Sequence, residues 1–330
     1  MSLRTRLTEL LAIEHPIISA PMWLAGGGRL AAAVTEAGGL GLIGGGYGDA
    51  DWLKREFSEA RNARVGCGFI TWSLARRTAL LELALEHSPA AIMLSFGSPK
   101  PFASRIKSAG AKLICQVQCM DHAREAVSVG ADVIVAQGAE AGGHGMTRAT
   151  LTLVPEIADY LTKAGPDVIL VAAGGIADGR GLAATLMLGA EGVLIGSRFW
   201  ASTEALEEPA FQKAAIAAEG DSTLRTTVVD LVRKLEWPKE FTARVMKNRF
   251  TEEWHGREAK LIESDVIEHQ LRRYVTAMEN GDPDNTGVWV GEATGLIHDL
   301  RPAGDLVREI VKDAERLLAE RSLTLSEPHE

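Results

Sequence analysis

The feature that most constrains the fold of this chain is a repeated unit, a short apolar run followed by a helical pattern. Continuous apolar runs of four to six residues are typical of strands buried on both faces of a parallel sheet. The runs are Pro16 to Ala20, Leu40 to Ile43, Val65 to Ile70, Ala91 to Ser95, Lys112 to Val117, Asp132 to Ala136, Val168 to Ala172 and Gly192 to Ile195. Eight such strands alternating with helices predict an α/β fold, a (β/α)₈ TIM barrel.

The joint between a helix and the next strand also repeats. Gly110-Ala111, Gly130-Ala131 and Gly189-Ala190 each stand where a helical pattern ends and an apolar run begins. Glycine is the usual residue just beyond a helix C-terminus, so the joint indicates one repeated β/α unit. An open doubly wound sheet is the alternative, but the G-x-G-x-x-G turn typical of that fold does not follow the first strand.

The pattern changes from about Thr203, where charged residues become dense and the helical patterns longer and amphipathic. We expect residues 1–218 to form the barrel and residues 219–330 to form a helical extension that packs on the barrel and caps its active site. The small, apolar segment from Gly291 to Ile297 is expected to approach the barrel mouth. The tail from Ser326 to Glu330 is expected to fray.

Composition argues against several classes of protein. The net charge of −9 and the pI of about 5.5 are opposite to what a nucleic-acid surface needs. Cys67, Cys115 and Cys119 form no C-x-x-C pair, and we expect reduced thiols in a cytoplasmic protein. No segment has the apolar length of a signal peptide or the roughly 20 residues of a membrane helix. A small-molecule substrate is the expected partner, and a homodimer is left open.

Two short glycine-containing pairs follow the seventh and eighth strands, where barrels of this fold commonly bind phosphate. Gly174-Gly175 and Gly196-Ser197 leave backbone N–H groups uncovered, and Ser197 adds a hydroxyl. They predict a phosphate site, and tight packing between strand and helix is the other interpretation. Arg198 follows at once, either to neutralise the phosphate or to make a structural ion pair.

The remaining strand ends carry few Lys, Asp or Glu side chains, so sugar acid–base chemistry and metal binding lack their usual groups. They offer small residues, an amide and one histidine, His144, inside the glycine-rich segment Gly138 to Met146. Such a site suits a flat, neutral ring with hydrogen-bonding edges, such as the isoalloxazine of a flavin. An incidental histidine in a flexible loop is the alternative. The residues assigned to the cofactor are Ala20, Pro21, Met22, Gly68, Gln116, Gly142, Gly143, Ala173, Gly174, Gly175, Gly196 and Ser197.

Several of these segments together resemble the nitronate monooxygenase family, formerly called 2-nitropropane dioxygenases. The resemblance spans the barrel and part of the C-terminal region. The segments are Ala20-Pro21-Met22, Gln116, the run A-Q-G-x-E-A-G-G-H from Ala136 to His144, Ala173 to Arg180, Gly196 to Phe199, and Gly291 to Ile297.

The resemblance implies an FMN-dependent barrel that oxidises alkyl nitronates or nitroalkanes with O₂. It also implies that His144 is the catalytic base, which removes the acidic hydrogen beside the nitro group. A cationic His144 that binds the preformed nitronate is the alternative. Two positions depart from the family pattern: Met146 stands where a further glycine is expected, and Gly68 where Asn is frequent. These departures leave the substrate and the final electron acceptor open.

Two other functions remain at this point. The first is an FMN-dependent NAD(P)H:quinone or enoyl reductase of the same superfamily. The second is a phosphosugar-binding or noncatalytic barrel.

Overall fold

The computed structural model describes residues 3–326, with side chains described through residue 320. The predicted fraying of Ser326 to Glu330 falls, from residue 327 onward, outside the described residues.

A ring of eight parallel strands forms the centre of the molecule, in the order β1-β9-β8-β6-β5-β4-β3-β2. The predicted barrel is therefore confirmed. Two hydrogen bonds close the ring between its first and last strands, from the Ser19 amide to Leu40 O (3.0 Å) and from the Leu40 amide to Ile17 O (2.9 Å). The strands of the molecule are β1 (Ile17–Ser19), β2 (Leu42–Gly44), β3 (Gly66–Ile70), β4 (Ala91–Ser95), β5 (Lys112–Val117), β6 (Val133–Gln137), β7 (Gly143–Gly145), β8 (Ile169–Ala173), β9 (Val193–Ile195), β10 (Thr223–Thr226) and β11 (Thr242–Met246).

The helices lie outside this ring and in the C-terminal region. Asp49 caps the helix that follows it, because its carboxylate accepts hydrogen bonds from the amides of Asp51 and Trp52 at 2.9 and 3.0 Å. The helices are α1 (Arg6–Leu11), α2 (Gly28–Glu36), α3 (Ala50–Glu59), α4 (Thr71–Leu74), α5 (Ala79–Glu86), α6 (Lys100–Ser108), α7 (Met120–Ser128), α8 (Thr150–Ala164), α9 (Gly179–Met187), α10 (Ser197–Trp200), α11 (Pro209–Ile216), α12 (Val228–Val232), α13 (Arg249–Trp254), α14 (Glu258–Leu261), α15 (Ser264–Glu279) and α16 (Ala303–Ser326).

The barrel strands are buried on both faces, as their apolar sequences predict. Along β5, Ile114 points into the barrel, whereas Leu113 and Cys115 pack against the surrounding helices. Leu7 and Leu11 of α1 join the interior cluster with no exposed surface. The amino end of the barrel is therefore plugged by α1, which leaves the carboxyl end for a binding site.

The region after the barrel contains strands as well as the predicted helices. β10 and β11 are antiparallel, and β11 also pairs with β7, so that Ala243 lies opposite His144. The purely helical description of residues 219–330 was therefore incomplete. The last helix, α16, returns to the barrel and packs on α2 and α9. The domain boundary at residue 218 stays a prediction.

No helix within residues 3–326 combines the length and the apolar character that crossing a membrane requires.

Candidate active site

A cavity of about 370 Å³ opens at the carboxyl ends of the barrel strands, a size typical of small-molecule sites. The structure brings every predicted site residue to this one cavity, although the sequence separates them widely. The lining includes Ala20, Pro21, Met22, Gly68, Gln116, Gly142, Gly143, His144, Ala173, Gly174, Gly175, Gly196 and Ser197. Their individual roles stay predictions.

The glycines after β8 and β9 form a concave backbone surface at one end of the cavity. Gly174 and Gly175 have φ angles of +102° and +74°, which favour glycine. A Cβ at Gly174 would lie 2.9 Å from Thr150 Oγ1, whereas a Cβ at Gly196 would meet no atom closer than 3.7 Å. The amides of Gly174, Gly175 and Gly196 have no hydrogen-bond acceptor among the described residues. They are free to bind an anion, as the predicted phosphate site requires.

Ser197 and Arg198, which follow the eighth strand, have structural partners. The hydroxyl of Ser197 accepts a hydrogen bond from the Gly291 amide at 2.9 Å. This bond holds the start of the 291–297 segment at the cavity, which Gly291 and Ala293 line. The buried Arg198 guanidinium bonds Asp299 Oδ1 at 2.9 Å and the carbonyl of Ala201 at 2.9 Å. Of the two interpretations of Arg198, the structural ion pair is the one observed.

A chain of side-chain amides lies below the opening. Ser95 Oγ donates to Gln116 Oε1 (3.2 Å), and Gln116 Nε2 donates to Gln137 Oε1 (2.6 Å). Gln137 Nε2 in turn donates to the carbonyl of His144 at 3.2 Å. Gln137 was not among the predicted site residues, although it ends β6 and lies within the motif that carries the family resemblance. The network fixes the amide of Gln116 and ties the backbone of His144 to the barrel.

His144 lies in the short strand β7, and not in the flexible loop that was the alternative interpretation. Its Nε2 lies 2.8 Å from Asp230 Oδ2, and both side chains are less than a tenth exposed. The other carboxylate oxygen, Oδ1, accepts a hydrogen bond from Arg233 Nη2 at 2.9 Å. Burial lowers the pKa of His144 below its usual value of 6.5, although the hydrogen bond to Asp230 acts in the opposite direction. A neutral imidazole is therefore favoured at pH 7.

Aromatic side chains enclose the imidazole. Trp237 stacks on it, with ring centroids 3.4 Å apart and an interplanar angle of 6°. Phe96 presents an edge from 6.1 Å. Tyr47 accepts a hydrogen bond from Trp237 Nε1 at 3.0 Å, and burial raises the pKa of Tyr47 to about 12. The tyrosine is thus a neutral phenol that holds the tryptophan in place.

Asp230, Arg233 and Trp237 were not among the residues predicted from the sequence. Asp230 and Arg233 are spaced i,i+3 on a helical pattern, which predicts an ion pair between them but does not link either residue to His144. Trp237 stands in an irregular segment without a motif. The pairing of β11 with β7 brings them to the site, and short-range patterns do not reveal such a pairing.

Carboxylates also reach the cavity from loops rather than from strand ends. Glu140 accepts hydrogen bonds from the amide and the hydroxyl of Thr150, at 3.0 and 2.9 Å. Glu207 accepts one from Trp200 Nε1 at 2.7 Å, and burial raises the pKa of Glu207. Both carboxylates therefore have hydrogen-bond donors within the protein.

Metal and thiol chemistry find no support at this site. No group of His, Cys, Asp and Glu side chains within the described residues has the arrangement of a metal site. Cys67 and Cys115 are buried between the barrel strands and the surrounding helices, and burial raises the pKa of the Cys115 thiol to about 12.

Comparison with known proteins extends these observations. The family model described as nitronate monooxygenase matches residues 4–66 and 70–313. A nitronate monooxygenase of Neurospora crassa is 34% identical, over 91% of this chain and 89% of that protein. A Mycobacterium tuberculosis protein named (3aS,4S,5R,7aS)-5-hydroxy-7a-methyl-1-oxo-octahydro-1H-indene-4-carboxyl-CoA dehydrogenase is 30% identical, over 95% of this chain and 97% of that protein. The structure of FabK from Thermotoga maritima superposes with a TM-score of 0.83 at 32% identity, over 97% of this chain and 98% of that one.

The family match covers nearly the whole barrel and most of the C-terminal region, including the segments that hold His144 and Asp230. Relatives of similar identity carry different activity names, so the family fixes the type of enzyme and not its substrate. The alternative of a noncatalytic or phosphosugar-binding barrel is excluded. The chain belongs to the nitronate monooxygenase family and is an oxidoreductase.

Proposed function

We propose that this protein binds FMN and oxidises alkyl nitronates or nitroalkanes with O₂. The observation that carries the proposal is one cavity that combines free backbone amides suited to a phosphate with a buried imidazole suited to proton transfer. The likeness to the Neurospora crassa nitronate monooxygenase supports the choice of substrate class.

The residues present fit a flavin with a single phosphate. The amides of Gly174, Gly175 and Gly196 would bind the phosphate, and Ser197 would keep the 291–297 segment beside it. Gln116, oriented by Ser95 and Gln137, would bond the polar edge of the ring. Pro21 and Met22 would cover one face. When bound, the flavin would supply the redox chemistry, for which the nitronate is the electron donor and O₂ the acceptor.

The protein's own contribution is proton transfer and exclusion of water. A nitroalkane carries an acidic hydrogen on the carbon next to the nitro group, and the neutral imidazole of His144 would remove it. The aromatic rings of Trp237 and Phe96 keep water from this imidazole. A substrate that enters already as the nitronate needs no base.

Two measurements on the purified protein test this proposal. A flavin spectrum is expected, and heat should release FMN and not FAD. Mixing with ethyl nitronate in air should consume O₂. Release of FAD, or a colourless protein that FMN cannot reconstitute, would contradict the cofactor assignment.

His144→Ala tests the proton-transfer step. The variant should retain FMN, because the phosphate-binding glycines lie on other strands. Its rate on neutral nitroethane should fall by about 10²–10⁴, the usual contribution of a positioned base. The rate on the preformed nitronate should fall much less. His269→Ala, on the exposed face of α15, is the matched control.

Each outcome of this comparison has a distinct meaning. Unchanged activity of His144→Ala on nitroethane would rule out the base. Equal losses on both substrates would instead mean that His144 binds the anion or serves the oxidation step.

A reductase is the second candidate function, because the Mycobacterium tuberculosis relative is named a dehydrogenase at similar identity. Consumption of NAD(P)H with a quinone or an enoyl thioester, in the absence of nitronate oxidation, would favour it. Sedimentation or light scattering of the same preparation would test the homodimer.

A further inference from the structure

We propose that Asp230 is a positioning residue that holds His144 in the tautomer protonated on Nε2, so that Nδ1 is the atom that accepts the substrate's proton. The inference rests on the proposed function and assigns a task to a residue outside the barrel, on helix α12.

The hydrogen bond between His144 and Asp230 determines the tautomer of the imidazole. Nε2 of His144 lies 2.8 Å from Asp230 Oδ2, and an ionised carboxylate can only accept a hydrogen bond. The hydrogen between them must therefore be on Nε2. In the neutral imidazole, Nδ1 then carries the lone pair, and the hydrogen bond found for the ring among the described residues is the one from Nε2. Because His144 lines the cavity, this lone pair is available to a substrate.

Arg233 keeps the carboxylate of Asp230 aimed at the imidazole. It lies one helical turn further on and donates from Nη2 to Oδ1 at 2.9 Å, while its Nε donates to the Val229 carbonyl at 2.8 Å. Its guanidinium also lies over the ring of Trp289, 4.7 Å from the centroid. The two carboxylate oxygens are thus divided between one arginine and one histidine.

The imidazole has little freedom to turn away from Asp230. Trp237 stacks on one face at 3.4 Å, and the backbone of His144 is held by pairing with Ala243 and by Gln137 Nε2. A ring fixed in this way can exchange protons through Nδ1 while Nε2 stays bonded. A buried carboxylate orients a catalytic histidine in this way, by binding one ring nitrogen while the other exchanges the proton.

The charged groups around His144 have opposite effects on its pKa. Asp230 favours the imidazolium, whereas Arg233 and Arg225 disfavour it, and burial acts with the arginines. The resting imidazole is therefore neutral, and Asp230 stabilises the cation that forms when the proton arrives. Removal of the carboxylate should allow both neutral tautomers of His144. It should also lower the pKa of the imidazole further, because Asp230 raises it.

The first test does not depend on activity. ¹⁵N NMR of histidine-labelled protein should identify His144, by comparison with His144→Ala, as an imidazole protonated on Nε2. In Asp230→Asn, whose amide can donate or accept, this preference should weaken. A wild-type imidazole protonated on Nδ1 would overturn the proposal.

The second test is kinetic. Asp230→Asn should lose about 10²–10⁴ in kcat on neutral nitroethane, less than tenfold on ethyl nitronate, and none of its FMN. The acidic limb of its rate profile should move to lower pH, because the carboxylate that raises the pKa of His144 is gone. Asp132→Asn is the control, since Asp132 bonds the Leu113 amide at the amino end of the barrel.

A purely structural Asp230 predicts another pattern: equal losses on both substrates, with an unchanged pH profile. That result would overturn the proposal. If the wild-type protein oxidises neither substrate, the proposed function fails, while the NMR measurement still decides the tautomer.

Discussion

Substitution of Gly175 by Asp and by Asn separates charge from volume at the predicted phosphate site. Gly175 has a φ of +74°, a conformation that Asn and Asp tolerate better than other side chains. A Cβ there would lie 3.3 Å from Glu140 Cβ and otherwise face open space. The two variants have nearly the same shape, so a difference between them reports charge.

The expected difference is large. Two unit charges about 4 Å apart interact with about 4 kcal/mol at an effective dielectric constant of about 20. Salt screening reduces this energy at a site open to solvent. We therefore expect Gly175→Asp to bind FMN about 10²–10³ times more weakly than Gly175→Asn. The cost in stability should be about 1–2 kcal/mol for both, from the left-handed backbone.

Titration of the apoprotein with FMN, followed by flavin fluorescence, measures these affinities. Riboflavin is the control ligand, because it has the same ring and no phosphate, and the two variants should bind it alike. Gly110 is the control position, since its φ is +81° and a Cβ there would meet nothing within 4 Å. Equal FMN affinities for Gly175→Asp and Gly175→Asn would refute a phosphate site at these amides.

Three further predictions concern the pH dependence of activity, the pH dependence of stability, and the arginine after β9. Burial lowers the pKa of His144 below 6.5. A profile of kcat/KM against pH on neutral nitroethane should therefore rise through that lowered pKa and be flat above it. The same shift means that the unfolded state binds more protons below pH 6.5, so stability should fall as the pH drops through that range, as denaturant titrations at several pH values would record. Arg198→Met should lower the free energy of unfolding by about 1–3 kcal/mol, because it removes the bonds to Asp299 and Ala201, yet it should leave the Kd for FMN unchanged. A large loss of FMN affinity in that variant would restore Arg198 as a phosphate ligand.

The barrel could be predicted because each of its strands is marked by a short apolar run in the sequence. The strands β4 and β5 have the bounds that their apolar runs predict, and the other barrel strands shift by a residue or two. β1 begins at Ile17 rather than Pro16, since proline has no N–H to donate to a neighbouring strand. Between β3 and β4 the chain forms two helices, α4 and α5, rather than the single helix of one β/α unit.

The site could be predicted only in part, because some of its residues are marked by neighbouring residues in the sequence and others are not. Glycines after strands indicate where backbone must stay uncovered, so the residues that line this part of the cavity could be named from the sequence. The partner of His144 could not, because Asp230 is 86 residues away and no periodic pattern relates the two. The strand β7 was also not predicted, because it contains Gly143 and Gly145 and glycine is depleted in strands.

The strand β7 gives the extension a function beyond covering the cavity. It leaves the barrel after β6, carries His144 and pairs with β11, so the imidazole belongs to both parts of the molecule. Asp230 and Trp237, which fix that imidazole, come from α12 and from the segment between α12 and β11. A barrel alone would keep the free amides of Gly174 and Gly175 but lose the orientation of His144. In this chain the barrel offers the free backbone amides, and the extension holds the imidazole in its orientation. Differences in substrate between relatives of similar identity are therefore expected to originate in the extension rather than in the barrel strands.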